Sequence, residues 1–234
     1  MSVRVVSLVP SSTETLLALG ADVVACTRFC EQPDLRHVGG TKNPEIEAIV
    51  ALHPDLVVID REENRIEDHD ALLAAGLRMF VSDVRSVDDA ITLVGDLADA
   101  VGAPSDAYEM CQAQLVRQPV ARGERQTAFV PIWRRPWMSI GSVTYAASLL
   151  GRLGIDLVTA DADDAYPTVE LDELARPALV LVPSEPYAFT EAHVGELRAE
   201  FPDSEIVRVD GQDLFWWGVR TPDALVRLAA TLHP

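Results

Sequence analysis

The stretch that decides the fold reads VRVVSLVPSSTETLLAL and covers residues 3–19. Its first seven residues contain four valines and one leucine, a composition typical of a parallel strand that is covered on both faces. Ser11 and Glu14 then form an S-x-x-E pattern, which predicts a capping box at the start of a helix. A buried strand that runs directly into a helix is the first step of a parallel α/β sheet.

The same alternation of strand and helix continues along the chain. Buried strands are predicted at residues 3–9, 23–26, 56–59, 79–81, 127–133, 157–159, 178–182 and 206–209. Helices are predicted at residues 13–19, 44–52, 66–75, 144–153, 191–201 and 222–232. Most of these strands are continuous apolar runs, so the predicted fold class is α/β with parallel sheets.

The middle of the chain separates two β-rich halves. Apolar residues recur at helical spacing from residue 86 to about residue 117, and Gly102-Ala103-Pro104 interrupts them, so we expect one long helix or two abutting ones. We predict two Rossmann-like lobes, an N-terminal one at 1–85 and a C-terminal one at 119–234, bridged by a long helix at 86–118. A ligand cleft is expected between the lobes, at the carboxyl ends of their strands.

The two halves also resemble each other in sequence. LLALGADVV at residues 16–24 resembles LLGRLGIDLV at 149–158, and LHPDLVV at 52–58 resembles ARPALVL at 175–181. In each pair a helix ends near a glycine or a proline begins a buried strand. This similarity indicates duplicated lobes, although generic helix-glycine-strand units would resemble each other by chance.

Composition and charge exclude several classes of protein. The formal net charge of the 234-residue chain is −18, whereas nucleic-acid binding needs a basic surface. The same charge opposes adsorption to an anionic membrane. No segment approaches the roughly 20 apolar residues of a membrane span, so we expect no membrane insertion.

The N-terminal residues and the cysteines bear on the compartment. The first nine residues lack the basic start, the longer apolar run and the cleavage site of a signal peptide. The odd number of cysteines, Cys26, Cys30 and Cys111, fits a reducing compartment. The sequence as it stands predicts a cytoplasmic protein; if a leader has been trimmed from it, we expect a periplasmic or extracytoplasmic one.

The sequence carries none of the common catalytic motifs. It has no G-x-G-x-x-G, no G-x-x-x-x-G-K-[ST] and no G-x-S-x-G. Its five histidines stand apart, and Cys26 and Cys30 have no second Cys or His pair to complete a zinc site. We therefore expect a protein that is not an enzyme and needs no resident metal or cofactor.

In the first lobe, candidate ligand-binding residues follow the predicted strands. The helix start offers free N–H groups to a carboxylate, amide or phosphate, and the later loops bring polar, charged and aromatic side chains to the same sheet edge. Ordinary helix capping, turns and solvated loops would give the same patterns. The candidates are Pro10, Ser11, Ser12, Arg28, Phe29, Cys30, Lys42, Asp60, Glu62 and Asn64.

In the second lobe, aromatic residues mark three loops that follow strands. All four tryptophans lie in this half of the chain, which indicates a flat hydrophobic wall for a large planar ligand. The alternative is that some of these rings cap the core, and we expect at least one tryptophan to do so. The candidates are Trp133, Trp137, Tyr187, Trp216, Trp217 and Arg220.

These motifs, in this order, resemble the helical-backbone metal receptor superfamily, the Fe/cobalamin periplasmic-binding-protein fold. The resemblance rests on residues 5–14, on Glu31-Gln32-Pro33 and on LHPDLVV at residues 52–58, and it is greatest to the cobalamin-binding members. It implies two Rossmann-like lobes bridged by one long helix, and a ligand that is delivered to an ABC transporter. By position it implies a ligand wall that includes Pro10, Ser11, Phe29, Asp60, Trp133, Trp137, Tyr187 and Trp216 or Trp217.

The resemblance therefore implies a non-catalytic binding protein for a metal chelate, first of all a corrinoid such as cobalamin. The protein would be the substrate-binding component of an ABC-type uptake system or a cytoplasmic relative of one. Its partner would be an ABC permease, docked through acidic residues for which Glu67 and Glu196 are the candidates.

Three alternatives stay open. In the first, the chelate is haem or a ferric siderophore. In the second, the protein is an enzyme that processes a corrinoid or tetrapyrrole with Cys30 or the pair Glu62 and Glu63. In the third, it is a regulatory module that has lost its ligand, since Asp60 stands where cobalamin binders tend to place an aromatic residue.

Overall fold

A computed structural model of the chain describes residues 2–104, 106–116 and 124–232. The chain divides into two compact units, each with its own parallel sheet. The first unit contains residues 1–84, 88–115 and 217–220, and the second contains 85–87, 116–216 and 221–234. Residues 88–115 thus group with the first unit, and the bridging role predicted for this segment stays a prediction.

The first unit is built on a five-stranded parallel sheet with the order β3-β2-β1-β6-β7. A short antiparallel hairpin, formed by β4 and β5, follows β3 along the chain. The strands are β1 (Arg4–Ser7), β2 (Asp22–Cys26), β3 (Arg36–His37), β4 (Gly39–Gly40), β5 (Asn43–Pro44), β6 (Leu56–Asp60) and β7 (Met79–Ser82). All five residues of β6 are buried, as the continuous apolar run predicts for a central strand.

The helices of the first unit follow the predicted positions closely. They are α1 (Pro10–Ala18), α2 (Ile46–Ala51), α3 (Ile66–Ala74), α4 (Val87–Val101) and α5 (Asp106–Val116). The single long helix is wrong and the alternative of two helices is right, because α4 ends before Gly102 and Pro104 precedes α5. The predicted end of this segment near residue 117 lies outside the described residues.

The second unit has a four-stranded parallel sheet with the order β11-β8-β13-β14 and a three-stranded antiparallel sheet with the order β12-β10-β9. Its strands are β8 (Gln126–Phe129), β9 (Pro131–Trp133), β10 (Trp137–Ser139), β11 (Ile155–Leu157), β12 (Thr168–Val169), β13 (Leu179–Pro183) and β14 (Glu205–Val209). Its helices are α6 (Tyr145–Arg152), α7 (Glu191–Glu200), α8 (Gly211–Phe215) and α9 (Thr221–Leu232), with a 3-10 turn at Leu171–Glu173.

One strand of the second unit differs from the prediction in a way that matters for the site. The run predicted as a single strand at 127–133 is divided at Val130, so β8 stays in the parallel sheet while β9 pairs with β10 in the antiparallel one. Pro131 supplies no backbone N–H, which favours this change of partner. The division carries Trp133 out of the core sheet and onto a hairpin.

The two parallel sheets repeat one pattern of pairing. In the first, β1 lies between β2 and β6, and β6 pairs with β7. In the second, β8 lies between β11 and β13, and β13 pairs with β14. The strands that take equivalent places in the two sheets, β2 with β11 and β6 with β13, lie in the segments whose sequences resemble each other. The structure therefore supports a duplicated unit.

Candidate functional site

The start of α1 follows β1 directly, but the predicted capping box is wrong. The helix begins at Pro10, two residues earlier than a Ser11 cap requires, because the fixed φ of proline suits the first helical position. Val9 occupies the cap position and makes no side-chain cap. The carboxylate of Glu14 instead accepts two hydrogen bonds from Arg220, from Nε at 2.8 Å and from Nη2 at 2.9 Å.

The serines at this helix start are buried while Pro10 is half-buried. Ser11 accepts a hydrogen bond from Thr15 through its carbonyl at 3.0 Å. Ser12 is fully buried, and its Oγ has no hydrogen-bond partner among the described residues. A buried hydroxyl without a partner costs free energy, so this position is one where a bound group or a water molecule would be stabilising.

Cys30 is buried against the first turn of α1 rather than exposed on the surface. Its sulfur is 3.2 Å from the hydroxyl oxygens of both Thr13 and Thr27. A hydrogen bond from the Cys26 thiol is the largest cause that lowers the pKa of Cys30 to about 6, while the pKa of Cys26 is raised. The side chains of Cys26 and Cys30 are both buried. The assignment of Cys30 as a ligand-binding residue stays a prediction.

Asp60, at the end of β6, is the centre of a buried hydrogen-bond network. Its Oδ2 accepts from the Ser82 hydroxyl at 2.7 Å, and its Oδ1 accepts from the backbone N–H of Glu62 at 2.9 Å. Its own N–H donates to Oδ1 of Asn64 at 2.8 Å. Asn64 in turn donates to the carbonyl of Thr41 at 2.9 Å. Asp60 and Asn64 therefore fix the loops at this sheet edge.

Burial raises the pKa of the Asp60 carboxyl above its usual range, and burial outweighs the hydrogen bonds from Ser82, Glu62 and Glu63 that act to lower it. A raised pKa in the folded state means that the folded protein holds this proton more firmly than the unfolded chain does. The stabilisation from protonation is complete below the unfolded pKa and is lost as pH rises through the folded pKa.

We therefore predict that Asp60→Asn becomes more stable relative to the unchanged protein as pH rises from about 4. An asparagine keeps the acceptor for Glu62, and Ser82 can donate to the Ile59 carbonyl, which it already approaches at 3.2 Å. Urea unfolding of both proteins between pH ~4 and pH ~8 measures the difference. Asp34→Asn, which removes one negative charge from an exposed position, is the control, and a difference that is flat or falls with pH contradicts the prediction.

Arg28 and Phe29 follow β2 and are both exposed. The guanidinium of Arg28 lies over the Phe29 ring, 4.7 Å from its centroid. Lys42, in the turn between β4 and β5, donates from Nζ to the carbonyl oxygen of Glu62. The first unit thus places two cations and one exposed ring at the carboxyl edge of its sheet.

Residues 217–220 belong to the first unit, where they pack on α1. The backbone N–H of Val219 donates to Oγ1 of Thr15 at 3.3 Å. Trp217 is buried, which confirms that at least one tryptophan serves the core. Arg220 is held by Glu14, so Trp217 and Arg220 have a structural role whether or not they touch a ligand.

The second unit contains an aromatic cluster that we define as Trp133, Trp137, Tyr187, Phe189 and His193. Trp133 meets Tyr187 edge-on with centroids 5.0 Å apart, and Tyr187 lies 4.8 Å from Phe189. Phe189 stacks on Trp137 at 6.0 Å with an interplanar angle of 6°. Trp133 is 46% exposed, whereas Phe189 is buried. The cluster therefore packs against the core through Phe189 and exposes Trp133 to solvent.

Polar contacts fix the aromatic cluster in place. Arg134 donates from Nε and Nη2 to one carboxylate oxygen of Glu196, at 2.8 and 2.6 Å, and its guanidinium lies 5.5 Å from the Trp137 ring. His193 Nδ1 accepts from the Thr190 backbone N–H at 3.2 Å, so the neutral ring carries its proton on Nε2. In that tautomer His193 is a donor and not a metal ligand.

Trp216 is held outside this cluster. Its Nε1 donates to the Glu185 carboxylate at 2.7 Å, and its ring is partly exposed. Of the residues that support the predicted site, Phe189, His193, Arg134 and Glu185 are not among the predicted ligand-binding residues. Phe189 stands two residues after Tyr187, a spacing that would have indicated it; the other three depend on long-range contacts and have no local signal.

Neither a metal centre nor a membrane span is found in the described part of the chain. No group of three His, Cys, Asp or Glu side chains among those residues is placed to hold a metal ion. Among the described helices, none is long and apolar enough to cross a membrane.

Each of the two α/β units contains a parallel sheet with the same pairing pattern, and the second bears an aromatic cluster, which is the two-lobed α/β class that the sequence predicts. Residues 5–182 match the periplasmic binding protein family, which is most of the chain. The chain belongs to the periplasmic binding protein family, a family of binding proteins, as the sequence resemblance predicts.

Individual relatives agree with this assignment. The vitamin B12-binding protein of Yersinia pestis (strain Pestoides F) is 25% identical over 236 residues, covering 95% of this chain and 82% of the relative. The periplasmic vitamin B12 binding protein of Vibrio cholerae has the same fold, with a TM-score of 0.82, 19% identity and coverage of 99% and 96%. The periplasmic haem binding protein of Vibrio cholerae is as similar, with a TM-score of 0.80, 20% identity and coverage of 99% of each chain.

Proposed function

We propose that this chain binds a planar metal chelate, in the first place a corrinoid, without transforming it. The observation that carries the proposal is the aromatic cluster of the second unit, where Trp133 is exposed and held at a fixed angle by Tyr187. A rigid exposed ring offers contact area to an apolar macrocycle at little cost in conformational entropy. The B12-binding relative, similar along nearly the whole chain, supports the corrinoid.

Haem is the second candidate ligand. A haem-binding protein has this fold at nearly the same TM-score as a B12-binding one, and an aromatic surface suits either macrocycle. His193 does not support haem ligation, because its Nδ1 is engaged and its Nε2 carries the proton.

We also propose that the protein hands its ligand to an ABC permease. Of the two acidic docking residues predicted from the sequence, Glu67 is exposed and beside Arg65, and a hydrogen bond and the Arg65 charge lower its pKa, so it remains charged. Both carboxylates are paired with an arginine, that of Glu67 at 3.2 Å and that of Glu196 at 2.6 Å, but the Glu67 side chain is 66% exposed and the Glu196 side chain only 43%. Glu67 is therefore the better supported of the two.

The proposal is tested by titrating the purified protein with cobalamin, haem and a ferric siderophore while following tryptophan fluorescence. We expect saturable quenching with one of these ligands, because Trp133 and Trp216 are both partly exposed. Free N-acetyltryptophanamide, titrated in parallel, corrects for absorption of light by the ligand. The absence of saturable quenching with all three would refute the proposed function.

A further inference from the structure

Two basic side chains of the first unit, Arg28 and Lys42, are notable because the chain as a whole is strongly acidic. With a net charge of −18, carboxylates outnumber basic side chains, and the arginines Arg125, Arg134 and Arg220 each form a hydrogen-bonded ion pair. Arg28 is not paired in this way: among the residues that the structure describes, no carboxylate lies within ion-pair distance of its guanidinium, as is also the case for Arg36 and Arg78. Over the same residues Lys42 has only the Glu62 carbonyl oxygen as a partner.

The Arg28 guanidinium is held in one orientation although no carboxylate of the described residues pairs with it. Its guanidinium stacks over Phe29, and its backbone N–H donates to the Gly39 carbonyl at 3.0 Å. A Cβ on Gly40 would lie 2.9 Å from Arg28 Nη2, so the absence of a side chain there lets the guanidinium rest against the hairpin. A stacked guanidinium keeps its in-plane donors available for a planar anion.

Lys42 is brought to the same edge of the sheet by a separate contact. The turn that carries it joins β4 to β5, and its bond to the Glu62 carbonyl fixes it beside the loop that follows β6. Arg28 follows β2. In a parallel sheet the residues that follow β2 and β6 share the carboxyl edge, which is where α/β folds bind ligands.

We propose that Arg28 and Lys42 form an anchor for an anionic oxygen group on the bound chelate. This inference rests on the proposed function and names the chemistry of the ligand at the first unit. Two sources supply that chemistry: the carboxylates of a porphyrin, and the phosphodiester of a complete corrinoid.

Matched ligand pairs distinguish the two sources. Zinc protoporphyrin and its dimethyl ester share one ring system and differ in carboxylate charge; cobalamin and cobinamide share the corrin ring, and only cobalamin carries the nucleotide loop with its phosphodiester. We expect the member of one pair that carries the anionic oxygen group to bind at least about tenfold more tightly, since a charge-assisted hydrogen bond contributes that much. The preference should shrink as salt is raised.

The variants are Arg28→Ala and Lys42→Ala. Each is expected to weaken binding of the ligand that carries the anionic group about tenfold and to change binding of the partner that lacks it less than twofold, which also shows that the variant is folded. The matched control is Arg78→Ala, an exposed arginine that precedes β7 at the opposite edge of the sheet. It should leave both ligands unaffected.

The outcomes separate this inference from the function on which it rests. If the variants lose affinity only within the porphyrin pair, the anchored groups are carboxylates. If they lose affinity only within the corrinoid pair, the anchored group is the phosphodiester. If macrocycles bind but the two members of each pair bind alike in every variant, the anchor is refuted and the function stands. An equal loss in Arg78→Ala also refutes a local anchor, and binding of no macrocycle refutes both proposals.

Discussion

Gly218→Ala is expected to lower the free energy of unfolding by about 3 kcal/mol, through backbone strain and a steric clash together. Gly218 has a φ of +103°, which an alanine adopts only at a cost. A Cβ built at this position would lie 2.2 Å from Oγ1 of Thr15, a separation that atoms do not tolerate. Urea unfolding followed by circular dichroism measures the loss.

The cost is large because both partners are fixed. Thr15 Oγ1 donates to the Ser11 carbonyl at 3.0 Å and accepts from the Val219 N–H at 3.3 Å, so it cannot rotate away without losing both bonds. Arg220, two residues after Gly218, is held by Glu14 on the same helix. An added methyl group would therefore push residues 217–220 off α1.

Two further variants separate the clash from the strain. Gly76→Ala introduces an alanine at a φ of +82° with no atom within 4 Å of the new Cβ, so it should cost only the strain, about 1 kcal/mol. Adding Thr15→Ala to Gly218→Ala removes the clashing oxygen and should recover part of the loss, so the two changes should not be additive. Equal losses for Gly218→Ala and Gly76→Ala would contradict the clash.

Much of the fold could be predicted because its signals are local. The buried run at residues 56–59 and the spacing of apolar residues in α4 are each contained within one element, and both are found as expected. The errors occur where two local signals compete. A strand prediction across Pro131 overlooked the missing N–H donor, and a cap at Ser11 overlooked the preference of Pro10 for the first turn of a helix.

The candidate site was predictable to a smaller extent. Sequence position placed Trp133 and Tyr187 after strands, and the structure brings them within 5.0 Å. Position gave no information on which residues would hold them. Arg134 reaches Glu196 across 62 residues, and Trp216 reaches Glu185 across 31, so these partners are decided by tertiary packing alone.

We expect Trp133→Ala to cause the largest loss of ligand binding, about 100-fold or 2 to 3 kcal/mol, as for an aromatic residue that anchors an interface. The ring is partly exposed at the end of β9, and its contact with Tyr187 at an interplanar angle of 71° holds it in place. The salt bridge between Arg134 and Glu196 holds the next residue of the hairpin, so the ring is positioned before a ligand arrives.

The same substitution should change stability little, because the side chain is already 46% exposed without a ligand. The matched control is Tyr166→Ala, which removes another exposed aromatic ring of the second unit that lies outside the aromatic cluster. Titration with the chelate that quenches the unchanged protein, followed by absorbance of the ligand rather than tryptophan fluorescence, gives both dissociation constants. If Trp133→Ala binds as tightly as Tyr166→Ala, the macrocycle does not rest on this ring, and the proposed role of the aromatic cluster must be abandoned.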